Sequence, residues 1–129
     1  HGEQQGVTAV FAAARFGQAD SLRLLLQLKA NFAIPNRKGQ TPLWIAARNG
    51  HLDCIQLLLK KKADVNTADS ECASPALVAA QRGHEKILRL LQRKRANLDA
   101  ADSDGCTPAL VAAHAGNEGC LKFLIESAA

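Results

Sequence analysis

Two textures of apolar and polar residues alternate along this chain. Stretches built on alanine, such as "PLWIAARNG" at residues 42–50, are followed by stretches with larger apolar residues at i, i+3 and i+4, such as Ile55, Leu58 and Leu59. The second texture is the stripe of an amphipathic helix. The first is bounded by Thr-Pro and by Gly, the start and stop signals of a short helix. Each pair closes on "ADVN" or "ANLD" and then on a turn-rich segment such as "TADSEC" or "AADSDG". The pattern predicts two helices and a turn per unit.

The unit returns every 33 residues without insertion or deletion. Thr8, Thr41, Ser74 and Thr107 form one column, and Gly17, Gly50, Gly83 and Gly116 another. Between them stand Ala13 and Ala14, Ala46 and Ala47, Ala79 and Ala80, Ala112 and Ala113. Then come Leu22, Ile55, Leu88, Leu121 and Leu25, Leu58, Leu91, Leu124. A Thr or Ser hydroxyl suits a helix N-cap, because it accepts from N–H groups that have no partner inside the helix. Pro42, Pro75 and Pro108 follow at the first helical position, where a missing N–H costs little. Alanines leave room for a neighbouring helix, and glycine permits the reversal into the second helix.

These residues, with the stretch "TPLWIAARNGHLDCIQLLLKKKADVN" at 41–66, resemble the ankyrin repeat and its T-P-L-H-x-A signature. Residues 1–129 are then one domain, with repeats at 3–35, 36–68, 69–101 and a shorter 102–129. The resemblance implies an all-α repeat solenoid: stacked helix-turn-helix units with projecting β-hairpin loops. Three departures stand out. The signature His is replaced by Phe11, Trp44, Leu77 and Leu110, which is expected to exchange its hydrogen bond for apolar packing. The Gly that commonly follows the second helix is Lys29, Lys62 or Arg95, each expected to carry about 1 kcal/mol of strain if left-handed. Cys72 replaces the hairpin Gly kept as Gly6, Gly39 and Gly105, which puts the turn of that finger in question.

Composition changes this picture little. Alanine and leucine dominate, and the aromatics are Trp44 and four Phe, as short close-packed helices require. No apolar run approaches the roughly 20 residues that cross a bilayer, and "HGEQQGVTA" lacks the basic and apolar regions of a secretion signal. The net charge is +4, but six of the sixteen basic residues sit in two triplets, Lys60–Lys62 and Arg93–Arg95. Without them ten basic residues face twelve acidic ones, so the basic character is local. Cys54, Cys72, Cys106 and Cys120 show neither a CxxC pair nor a His at zinc-finger spacing. They read as free thiols in a reducing compartment, cytoplasmic or nuclear, although Cys72 and Cys106 fall on adjacent fingers.

No catalytic group, metal ligand set or cofactor loop emerges. His51 and His84 share one repeated column, where the resemblance implies a structural role, and His114 has no nucleophile or orienting carboxylate at a meaningful spacing. The resemblance instead implies a concave protein-binding surface made of hairpin tips and the ends of the first helices. Carried onto this chain, the tips are Gln4, Gln5 and Val7; Arg37, Lys38 and Gln40; Ser70, Glu71 and Ala73; Ser103, Asp104 and Cys106. The helix ends are Arg15 and Phe16, Arg48 and Asn49, Gln81 and Arg82, His114 and Ala115. Arg15, Arg37, Lys38 and Arg48 lie on the first two repeats, and Glu71 and Asp104 on the last two. That asymmetry predicts a partner with an acidic portion over repeats one and two and an apolar side chain near Phe16, bound to a monomeric scaffold. Asn66 sits where some ankyrin repeats are hydroxylated.

The triplets admit two readings. Lys60, Lys61 and Lys62, and Arg93, Lys94 and Arg95, fall at the ends of second helices, where cations offset the partial charge of the last carbonyls by about 0.3–1 kcal/mol each. Alternatively they align into a basic ridge for nucleic acid, acidic lipid or an acidic tail. No aromatic residues interleave with them for base stacking, and the first reading is preferred. Solenoids cover their ends with polar repeats, yet Val10, Phe11 and Leu22 at one end and Leu121, Phe123, Leu124 and Ile125 at the other are apolar. A segment of a longer protein is therefore expected.

Overall fold

The computed structural model describes residues 8–128. Over that span the chain forms eight helices in four pairs: α1 (Ala9–Arg15) with α2 (Ala19–Gln27), α3 (Pro42–Asn49) with α4 (Leu52–Lys60), α5 (Pro75–Arg82) with α6 (Glu85–Arg93), and α7 (Pro108–Ala115) with α8 (Glu118–Ala128). The start signals operate as read. The hydroxyls of Thr8, Thr41, Ser74 and Thr107 accept from the N–H groups of Phe11, Trp44, Leu77 and Leu110 at 3.0, 3.1, 3.1 and 3.2 Å. Gly50 ends α3 in the left-handed region, with φ of 80°. A Cβ there would also come within 2.7 Å of the His84 ring of the next repeat. Any other residue there would carry left-handed strain and displace the His84 ring.

The pairs stack in two rows. First helices meet through alanine: Ala14, Ala46, Ala47, Ala79, Ala80 and Ala112 are 0% exposed. Second helices meet through larger chains, chiefly Leu22, Ile55, Leu58, Leu88 and Leu91. Each such residue contributes about 1.5–3 kcal/mol by leaving water. Small residues let α1, α3, α5 and α7 approach more closely than α2, α4, α6 and α8 do. Stacks with unequal rows curve toward the tighter one, which puts the first helices on the inner side. Leu24 on α2 and Leu28 at its C-cap, and Leu110 and Ile125 in the last pair, remain exposed.

Left-handed residues stand where the second helices end. Lys29, Lys62 and Arg95 have φ of 65°, 66° and 66°. Around Lys62, the N–H groups of Lys62 and Ala63 return to the carbonyls of Leu59 and Leu58 at 2.9 and 3.1 Å. This double return is the Schellman closure, and it holds a lysine in a glycine's conformation. The fingers contain no strand among the described residues. Each is instead a turn folded around one side chain. Asn36 Oδ1 accepts from Lys38 and Gln40, and Asp69 and Asp102 repeat the device at 2.9 Å. Cys72 keeps the turn despite its Cβ: its φ is 66° and its N–H reaches Asp69 O at 3.0 Å. Single backbone bonds strap finger to finger, from Ser70 N–H to Lys38 O at 2.8 Å and from Ser103 N–H to Glu71 O at 2.9 Å.

One expectation is corrected. Trp44 does not merely exchange a hydrogen bond for packing, because its indole Nε1–H donates to Ala73 O of the next finger at 2.8 Å. An indole is long enough to reach across the repeat boundary, whereas Phe11, Leu77 and Leu110 have no donor. Replacing Trp44 with Phe should therefore lower unfolding free energy by about 0.5–1.5 kcal/mol, the net worth of one hydrogen bond, since Ala73 O keeps a second donor in the N–H of Asp69 at 3.0 Å. Lys62→Gly should act oppositely, raising it by about 0.5–1 kcal/mol after allowing for the freer unfolded chain. Urea titrations followed by circular dichroism measure both.

Candidate interaction surface

The exposed ends of the first helices are ordered by the repeat that follows them. The carbonyl of Arg15 accepts from the Asn49 side-chain amide and lies 3.0 Å from His51 Nε2. Arg48 O lies 3.0 Å from His84 Nε2. In the last pair Asn117 takes over, its amide donating to Ala80 O at 2.9 Å and Gln81 O at 2.8 Å. Carbonyls in the last turn of a helix have no partner inside it, and here the next repeat supplies one. A carbonyl only accepts, so each ring presents Nε2–H. His51 and His84 are thus parts of the frame.

With those bonds assigned, the predicted contact residues divide. Gln4, Gln5 and Val7 lie outside the described residues. Arg15, Arg37, Lys38, Ser70, Glu71, Gln81, Arg82, Ser103, Asp104, His114 and Ala115 are exposed. Arg48 and Asn49 are half-buried, and the Asn49 amide is committed to Arg15 O. Gln40 is also engaged, its Oε1 accepting from Asn36 Nδ2 at 2.9 Å. Ala73 and Cys106 are half-buried at the finger bases. Phe16 is the outlier: it is 63% exposed, with the Arg15 guanidinium 5.1 Å from its ring centroid. The finger straps bring Lys38 beside Ser70, and Glu71 beside Ser103. Arg15, Arg37, Lys38 and Arg48 lie on the first two pairs, whereas on the last two Arg82 stands with Glu71 and Asp104.

The basic triplets occupy the opposite row. Lys60 and Arg93 close α4 and α6, Lys61 and Lys94 cap them, and Lys62 and Arg95 take the left-handed position. All six are exposed. Lys60, Lys62 and Lys94 line one hollow of about 540 Å³, so cations of two repeats do converge. This hollow could not be read from spacing, since it depends on how far α4 and α6 stand apart. The capping roles of Asn49 and Asn117 were also missed; the one available signal was that Asn117 falls in the column of His51 and His84.

The four cysteines are free thiols. Cys54 and Cys120 are 0% and 2% exposed. Burial pushes both thiols above their usual range, aided by the charge of Asp53 at Cys54 and of Glu85 at Cys120. No helix among the described residues is long and apolar enough to cross a membrane.

The sequence pattern of the family described as Ankyrin repeats (3 copies) matches residues 1–69 and 67–129. The chain belongs to the ankyrin repeat family. None of the curated proteins matches it. Ankyrin repeats are generally non-enzymatic modules for protein–protein interaction, and the four helix pairs of this array are their stacking units.

His84→Ala should destabilise the array by about 1–2 kcal/mol through the orphaned Arg48 carbonyl; thermal unfolding followed by circular dichroism checks it. The thiols give a second measurement. In the native ankyrin array a thiol reagent at neutral pH should label Cys72 and Cys106 quickly and spare Cys54 and Cys120 until the chain is unfolded.

Proposed function

We propose that this ankyrin array is a non-catalytic scaffold that binds another protein on its inner surface, through the exposed fingers and first-helix ends. The observation that carries the reading is the Arg15–Phe16 pair. An aromatic ring 63% exposed and stacked under a guanidinium contributes little to the frame. Aromatic and arginine side chains are the commonest anchors of protein interfaces. Arg48 closes α3 at the same end as this pair, and Arg37 and Lys38 add positive charge on the finger that precedes the other end of α3, so the partner segment carries carboxylates over repeats one and two and an apolar side chain against Phe16. Glu71 and Asp104 would repel a uniformly acidic partner from the later repeats, which fixes its direction.

Four free thiols support a reducing, intracellular setting for this scaffold, cytoplasmic or nuclear. We take it to act as a monomer. A second reading, a polyanion-binding module, has one observation in its favour: Lys60, Lys62 and Lys94 border a common hollow. It ranks lower because the first repeat contributes only Lys29 to such a ridge, and the fourth has Glu126 and Ser127 instead.

Arg15→Glu/Arg48→Glu leaves both backbone carbonyls in place while reversing the charge around Phe16. In a pull-down from nuclease-treated lysate at low and high salt, this variant should lose the partner that the native chain retains at high salt. Retention by the variant, or loss with salt and with neutralised triplets instead, would remove the inner-surface reading.

A further inference from the structure

The outer row holds a groove that the inner-surface reading does not use. Leucines between second helices keep α4 and α6 farther apart than the alanine-lined α3 and α5, and a hollow of about 420 Å³ opens between them. Its floor is apolar: Leu57 is half-buried, and Leu59 and Leu90 are 8% and 7% exposed. Lys60 and Lys94 border it from two different repeats, and they continue with Lys62 into the adjoining hollow. Asp53 and Asp64 are the acidic residues among the lining of the two.

We propose that this groove docks an acidic peptide segment of a partner protein, which inserts one apolar side chain between Leu57 and Leu90 and pairs flanking carboxylates with Lys60 and Lys94. The chemistry of the walls selects this occupant. A compact phosphate could pair with the lysines, but it would leave the apolar floor of Leu57, Leu59 and Leu90 unused, and the backbone N–H groups of Lys61, Lys62 and Lys94 are already spent on the carbonyls of their own helices. A bilayer takes up apolar side chains that protrude, and Leu59 and Leu90 are recessed. Nucleic acid would find no aromatic side chain in the lining on which to stack a base. A side chain on a peptide can enter the hollow while long lysine stems reach outward to carboxylates on either side of it. Insertion of an apolar anchor into a pocket with a charged rim is the usual anatomy of a peptide site.

The test uses a fluorescent, N-acetylated octapeptide with leucine and phenylalanine at its centre and glutamates on both sides. Anisotropy titration of the full chain should show saturable binding. Amide shifts in a parallel NMR titration should cluster at Leu57, Lys60, Leu90 and Lys94. Lys60→Glu/Lys94→Glu, or the milder Lys60→Gln/Lys94→Gln should the first unfold, should weaken binding about tenfold or more. A control peptide of equal charge with glycine and serine at its centre should lose a similar factor. Arg15→Glu/Arg48→Glu should bind the octapeptide as the native chain does, which separates this groove from the inner surface. The proposal is overturned by equal binding of the two peptides, by shifts confined to the inner surface, by no binding at all, or by binding only to vesicles containing acidic lipid.

Discussion

Everything in this array depends on how closely the first helices approach one another. Paired alanines recur in every first helix, and Ala14, Ala46, Ala47, Ala79, Ala80 and Ala112 are fully buried where α1, α3, α5 and α7 stack. Interiors packed at crystal-like density do not absorb added volume easily. The spacing of the inner row is therefore set by alanine and that of the outer row by leucine and isoleucine. Curvature, the reach of one repeat's side chains to the carbonyls of the previous one, and the hollow between α4 and α6 all follow from that inequality. Close approach is also what brings His51, His84 and Asn117 within hydrogen-bond distance of a neighbouring helix end.

Those cross-repeat bonds separate two populations of surface residue. Asn49, Gln40, Trp44 and the two histidines look polar and available in one dimension, yet each has a partner in its own finger or in the neighbouring repeat. Arg15, Phe16, Arg37 and Lys38 have side chains that the frame does not employ. A repeat protein conserves its stacking geometry from unit to unit and places recognition in what remains. Here the remainder is asymmetric, cationic toward α1 and α3 and mixed toward α5 and α7, where Arg82 stands with Glu71 and Asp104.

Much of the fold was legible because each signal was local. A Thr-Pro step, an alanine pair, a glycine and a leucine stripe recur at fixed positions, and none needs a distant contact to be read. Left-handed Lys29, Lys62 and Arg95 were legible for the same reason, since they replace a glycine at a helix end. The turn at Cys72 was harder. The missing glycine argued against it, while the Asp69 carboxylate that holds it together carries no weight until its bonds to Glu71 and Ala73 are seen. Trp44 misled because its indole was counted as apolar bulk, and its N–H finds Ala73 O only after the next repeat has packed. At the candidate site, residue identity gave the charge asymmetry but could not tell Asn49, bound to Arg15 O, from Phe16, whose ring stays mostly exposed under an arginine. That distinction exists only across the repeat boundary.

The central claim is that Phe16 belongs to recognition and not to the frame. It is tested most directly by measuring thermal stability and partner affinity on the same preparation of Phe16→Ser. The account predicts an unfolding midpoint close to that of the native chain together with a loss of affinity of about tenfold or more. Unchanged affinity, or a large fall in the midpoint, would contradict it.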